Sequence, residues 1–468
     1  MTRKYRLRRC WITFLGADDR GRKCCPFPLL QRKASVLDLI GQWERAENLL
    51  REGLGLAVAD GQREMEANCL TDIGQILSLK GQYQEAFQLY QRALMLYREL
   101  GAEKSVSYIT GLIGNLHYLK GDFGQAVECY RSKLRQAEMM GDRIDIANAL
   151  SNLGLVHTDQ GQYDSARSCL QRAIETYAEL GNRQGLAMTL GYIGTLYFYQ
   201  GEQSQAMEYY QRQLQAAEEI GDKRTVGLVM GNLGGLHWQR GEYGQAMECC
   251  QRQLEICREL GDQRGTGSVL GNLGILHKNL GENRLARECF QEGLRIARSL
   301  GDKRSQSIVL GNLGNLYKLM GDRDGALECY DAAIAGCREL QLKYFLCEDL
   351  YQKADLLFAM RRYDEARLLN DEALAVAREV NSAEAIFGAS VLDAKLKALS
   401  DAAGAAEALK ELLEKFTEPA RQADLYYELF TLTKDDGFRN KARGQYQEAE
   451  KKSPSVSIKK RIDELNEA

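Results

Sequence analysis

The stretch Gly311-Asn312-Leu313-Gly314-Asn315-Leu316-Tyr317-Lys318-Leu319-Met320-Gly321-Asp322 decides the fold, because near copies of it return every forty residues. Stepping back from Gly314 by forty meets Gly274, Gly234, Gly194, Gly154, Gly114 and Gly74, and stepping back from Gly321 meets a glycine at every step down to Gly41. Five residues past that second glycine stands an alanine, in nine copies from Ala46 to Ala366. A period of this length marks a stack of small units, each burying its apolar face on its neighbours.

Within one rung, Leu310, Leu313, Tyr317 and Met320 fall three and four residues apart, the spacing of one helix face, and Gly321 suits the left-handed end of that helix. A second helix starts near Arg323 and carries Ala326, Tyr330 and Ile334 on one stripe. Small residues at 314 and 326 let the two helices approach closely, so leucine in place of Gly234 is expected to overpack. In earlier copies the second helix stops at a glycine followed by Asp or Asn, as at Gly301-Asp302, Gly261-Asp262 and Gly181-Asn182. Only four prolines occur, none of them between residues 29 and 418, in keeping with closely spaced helices and no strands.

These residues resemble the tetratricopeptide repeats, whose helix pairs carry Leu-Gly and Tyr on the first helix and Ala and an aromatic on the second. The resemblance runs over residues 34 to 380, and the wording Asn-Leu-Gly-Asn with Glu-Leu-Gly-Asp joints is similar to Pins-type polarity adaptors and to bacterial signalling proteins built of such repeats. It implies an all-α fold, a right-handed α-solenoid of stacked antiparallel helix pairs. This chain departs from the family pattern in having Leu310, Leu270 or Met230 where Trp is common, and in lacking the proline that often closes the second helix.

The chain is therefore divided into a basic arm over 1–28, a solenoid of about nine repeats over 29–380, and worn helical repeats with a capping helix over 381–468. The first 33 residues hold ten Lys or Arg against Asp18 and Asp19, a charge of +8, which leaves -11 for residues 34–468 within the net -3 of the whole. Without interleaved aromatics this arm is expected to be disordered, or a start placed inside a longer gene, and not a contact for nucleic acid or membrane. No run of eighteen apolar residues occurs, so no membrane insertion is expected. Ser453-Pro454 fits a cap and first-turn proline for a last helix through Ile458, Ile462 and Leu465.

Chemistry-bearing motifs are sparse. His117, His157, His237 and His277 share one repeat position with Tyr197 and Tyr317, one repeat apart and too distant for a common metal. Cys129, Cys169, Cys249, Cys289 and Cys329 share another, where a small apolar side chain packs well. The thirteen cysteines include no Cys-x-x-Cys, so they give neither zinc spacing nor a disulfide framework and point to a reducing, cytoplasmic setting. Gly265 to Gly271 looks like a dinucleotide loop but follows a helix where such a loop follows a strand. No catalytic constellation, cofactor site or metal site is expected.

What remains is the concave groove lined by first helices. Asn152, Asn232, Asn272 and Asn312 recur at one phase, which Leu112 and Tyr192 break, and Asn115 and Asn315 follow the core glycine. Asparagine is a mediocre helix former, so its repetition needs a reason: a hydrogen bond between adjacent repeats, or a ligand. The resemblance implies the second for the four in-phase residues, which would hold the backbone of a bound peptide. Tyr108, Tyr118, Phe198, Trp238, Lys278 and Lys318 lie on or beside the same surface, so the expected ligand is a protein or peptide segment with an acidic end near the two lysines. Two roles stay open, a stand-alone adaptor and the sensory or regulatory half of a larger signalling enzyme or transcription regulator.

Overall fold

The joint at Gly321 shows how the repeat is punctuated. Gly321 sits at φ 81°, a left-handed conformation that costs a side chain-bearing residue free energy. Its N–H donates to the Lys318 carbonyl at 3.2 Å, and the Asp322 N–H donates to the Tyr317 carbonyl at 2.9 Å. These two bonds satisfy carbonyls that the helix end leaves open, the Schellman arrangement. Asp322 then caps the next helix, its Oδ1 accepting from the Gly325 N–H at 3.1 Å. A glycine-aspartate pair therefore ends one helix and begins the next, and glycines at 61, 81, 101 and every twentieth position to 321 all take positive φ.

A computed structural model describes residue 30, residues 33–34, 43–452 and 456–467 of the chain. The basic arm, Gly41 and the Ser453-Pro454 cap lie outside the described residues. Among the described residues there are 22 helices and no strand, in consecutive antiparallel pairs such as Lys303–Met320 with Arg323–Glu339. The chain divides into two compact units, Met1–Leu196 and Tyr197–Ala468. In each, a second helix packs on the first helix of its own pair and on the first helix of the next. The helices after the last regular repeat are Ala383–Ala398, Ala402–Lys415, Pro419–Thr433, Asp436–Lys452 and Val456–Glu467.

Close approach inside a pair rests on the first-helix glycine. A Cβ on Gly314 would stand 2.7 Å from Tyr330 Cε1, and one on Gly274 would stand 2.5 Å from Phe290 Cε1. The ring lies flat against bare backbone, and Tyr330, Phe290 and Ala326 are fully buried. Gly234 differs from the expectation of overpacking in degree: Cys250 replaces the ring there, and a Cβ would find Cys249 Cβ at 3.4 Å, an ordinary contact. The phased cysteines Cys129, Cys169, Cys249, Cys289 and Cys329 are half-buried and free, and burial pushes each thiol above its usual range. Two histidines of the shared position reach the start of the following helix, His237 Nδ1 lying 2.6 Å from Glu242 Oε2 and His277 Nδ1 2.5 Å from Glu282 Oε2. His117 packs edge-on against Phe87 at 5.6 Å.

Candidate peptide-binding face

From Gln263–Asn279 onward, the first helices of successive pairs touch one another in the second unit, so their side chains share one face. A helix turns through one face every three to four residues, which puts the residues at 232, 272 and 312 in one row across Lys223–Gln239, Gln263–Asn279 and Lys303–Met320. Asn272 is exposed and Asn232 and Asn312 are half-buried, and none makes a side-chain hydrogen bond among the described residues. In the first unit Asn152 is half-buried and likewise makes none.

The other two asparagines are engaged. Tyr130 donates its hydroxyl to Asn115 Oδ1 at 2.6 Å, and Tyr330 donates to Asn315 Oδ1 at 2.7 Å. Three residues along the helix, about a sixth of a turn short of the amide row, suffice to aim this side chain at the ring that covers the core glycine. These amide oxygens orient the tyrosines that hold the pair together.

The aromatic and basic residues also divide. Tyr118 donates its hydroxyl to Asp159 Oδ2 at 2.7 Å and leans on Phe123 with ring centres 5.9 Å apart. Tyr108 is exposed, and Gln75 donates to its hydroxyl at 2.6 Å. In the second unit Trp238 packs on Tyr243 at 5.2 Å and Phe198 on Tyr199 at 6.0 Å. Lys318 is held by its neighbours: its Nζ donates to Asp355 Oδ2 at 2.6 Å and to Gln352 Oε1 at 3.0 Å. Burial works against ionisation of Asp355, yet Lys318, Lys395 and Arg461 keep its carboxyl below the usual range. Lys395 continues the series to Glu428 at 3.5 Å.

Lys278 stands apart from this ladder. It is half-buried, makes no hydrogen bond or ion pair among the described residues, and burial pushes its ammonium below the usual lysine range against the pull of Glu348. Glu348 itself is pushed up by burial.

A cleft of ≈ 170 Å³ opens between the rows of Asn272 and Asn312, with Gly271, Gly293, Ile275, Ile296, Ile308 and Val309 among its walls. Sequence periodicity gave no sign of it, because it depends on which second-helix side chain lies over which first-helix glycine. A larger depression of ≈ 610 Å³ bordered by Arg295, Arg298, Tyr317 and Cys329 holds none of the phased amides. Among the described residues no group of three His, Cys, Asp or Glu could hold a metal ion, and no helix is long and apolar enough to cross a membrane.

Comparison with known proteins fits this architecture. A family model described as tetratricopeptide repeat matches residues 28–99, 66–139, 145–219, 225–299 and 268–339, and a second of the same description matches 351–384. No curated protein matches the chain. Among solved structures, the apo form of the quorum sensor NprR from B. thuringiensis is 14% identical, with a TM-score of 0.51, over 74% of this chain and 99% of that one. A signal transduction ATPase with numerous domains and a tetratricopeptide repeat sensor, from Pyrococcus horikoshii, is 16% identical with a TM-score of 0.53. That match covers 68% of this chain and 49% of the ATPase. At these identities the likeness concerns the fold.

Proposed function

Since the chain belongs to the tetratricopeptide repeat family, we propose that it is a non-catalytic scaffold that holds a peptide segment of a partner protein on the first-helix face of its second unit. Asn232, Asn272 and Asn312 bond the partner's backbone in this reading, and Trp238 offers an apolar anchor. The observation that carries it is the contrast between amides. Asn115 and Asn315 are spent on tyrosines, whereas the in-phase asparagines sit at or near the surface with every donor and acceptor unused. An amide with one donor group and one acceptor fits the N–H and C=O of an extended backbone. Asn152 is the same device in the first unit.

Lys318 belongs to the internal ladder, so an acidic end of the partner is met by Lys278 alone. The ten free cysteines among the described residues suit a reducing compartment, the cytoplasm in this reading. Burial pushes Cys69 and Cys337 up to about 12 and Cys250 up to about 11, which removes these thiols as nucleophiles at neutral pH.

Replacing Asn232, Asn272 and Asn312 together by alanine tests the assignment, because alanine is the better helix former. The expected result is full helicity by circular dichroism with loss of partner capture from source-cell extract. A folded variant that still captures the same partners at the same level removes the assignment, and an unfolded one makes the amides structural.

A further inference from the structure

The cleft beside Gly271 exists because one filler is missing. In other repeats the residue twenty-two positions after this first-helix glycine lies over it: a Cβ on Gly111 would meet Lys133 Cδ at 3.2 Å, and one on Gly231 would meet Gln253 Nε2 at 2.9 Å. Lys133 is only 6% exposed, so the filler is part of the packing. At Gly311 the buried carboxylate of Asp349 takes the place. At Gly271 the residue twenty-two positions on is Gly293, and nothing lies within 4 Å of where a Cβ would be. A helix interior carries glycine at a cost of about 1 kcal/mol relative to alanine; a Cβ on Gly293 would lie 3.5 Å from the Gly267 carbonyl, whereas Gly271 has no packing contact in return.

The vacancy has a definite chemistry. Ile275, Ile296, Leu300, Ile308 and Val309 give it an aliphatic wall, and Arg264, Ser268, Asp302 and Ser305 stand with the two asparagines as its polar lining. Its volume of ≈ 170 Å³ lies below the roughly 300–1,000 Å³ of pockets for small molecules, which leaves room for one side chain. Asn272 and Asn312, both among its lining residues, keep their amides unused. Lys278 follows Gly271 by seven residues on the same helix, about 10 Å along the axis, and its half-buried ammonium has no counter-ion in contact. An extended chain covers that distance in about three residues.

We infer that this cleft is the anchor pocket for a Leu, Ile or Met side chain of the bound peptide, whose Asp or Glu two to four residues away pairs with Lys278. The inference rests on the peptide-binding reading above and adds to it the composition of the segment. A buried aliphatic side chain recovers the contact that Gly293 leaves out, and a carboxylate offsets the desolvation of Lys278.

A phage-displayed library of random nine-residue peptides, selected on the full chain, tests this directly. Enriched sequences should share an aliphatic residue with an acid two to four positions away. Two variants then close the pocket from opposite sides: Gly271→Leu, whose Cβ enters open space, and Gly293→Gln, which rebuilds the filler seen at Gln253. Each should stay helical and weaken synthetic versions of the enriched peptides at least about tenfold, while Gly244→Leu, equally free of neighbours and outside the cleft, leaves affinity unchanged. Lys278→Gln should weaken them severalfold and flatten the salt dependence. Enriched peptides that lack the aliphatic and acidic pair, or that bind both pocket variants as well as the parent, overturn the anchor while the peptide-binding reading stands. Failure of the parent chain to enrich any peptide overturns both.

Discussion

Two consecutive repeats, 303–339 and 343–379, reach one geometry with different residues. The first uses Gly314 under the ring of Tyr330, and Gly321 at the joint. The second has Ala354 and Asn370 at the matching positions and Arg361 at the joint, with φ 63°. Ala354 and Asn370 are as buried as their counterparts, and Asn370 donates to the Ala389 carbonyl at 2.9 Å where a tyrosine would have filled the space. Arg361 and Arg362 donate to the Phe358 and Leu357 carbonyls, each at 2.9 Å, in the same capping pattern that Gly321 makes. The lesson is that residues of a repeat change in partnered sets: bulk lost from the second helix is replaced on the first, and a joint without glycine keeps its hydrogen bonds at the expense of backbone strain.

The largest test swaps the crossing pair. Asn370→Tyr should cost about 3 kcal/mol by driving a ring into the Ala354 Cβ, and adding Ala354→Gly should recover about 2 kcal/mol of it in a double-mutant cycle read by urea unfolding. Additive costs would show that the two positions do not face each other in this way.

Asp349 joins the two repeats and gives the next effect. It is 6% exposed, packs on bare Gly311, and has the Cys337 thiol 3.8 Å from its Oδ2. Burial first, and the charge of Glu348 second, push its carboxyl up to about 7. The folded state then keeps a proton that the unfolded chain releases near pH 4, so this group lowers stability as pH rises from about 4 to about 7. Asp349→Asn should therefore gain on the parent by about 2 kcal/mol between pH 5 and pH 8, followed as the difference in urea midpoints at the two pH values. A constant difference would show that Asp349 ionises normally.

Smaller effects separate the glycines. Gly314→Ala should cost about 1–2 kcal/mol against the Tyr330 ring, whereas Gly234→Ala, with only ordinary contacts waiting, should gain up to about 1 kcal/mol from helix propensity; thermal melts compare the two. The smallest change is at the joints: Arg361→Gly should raise stability by about 1 kcal/mol and Gly321→Ala should lower it by a similar amount. Equal responses at both joints would contradict the strain assigned to Arg361.

The helices, their pairing and their joints were legible in the sequence because they depend on residues a fixed distance apart on one chain, Gly321 and Asp322 being the clearest. Two features of the candidate site depend instead on residues facing across helices. Periodicity marks Asn312 and Asn315 alike, yet only Asn315 lies within reach of a tyrosine hydroxyl. It also pairs Lys278 with Lys318, since both hold the same position, while the acid that distinguishes them, Asp355, appears only in the one following repeat. The vacancy at Gly271 was hidden for the same reason, since Gly293 is unremarkable until the side chains that cover Gly111 and Gly231 from the matching position are seen.

The phased thiols have a kinetic consequence. Five repeats each carry one half-buried cysteine whose thiol is held neutral by burial, and only the thiolate reacts with a disulfide reagent. Labelling at neutral pH is therefore slow in the closed helix pair and quickens when the pair opens, so the rate at each cysteine responds to the opening of that pair. The chain thus carries a built-in ruler of local opening, with a graduation every forty residues through most of its repeats.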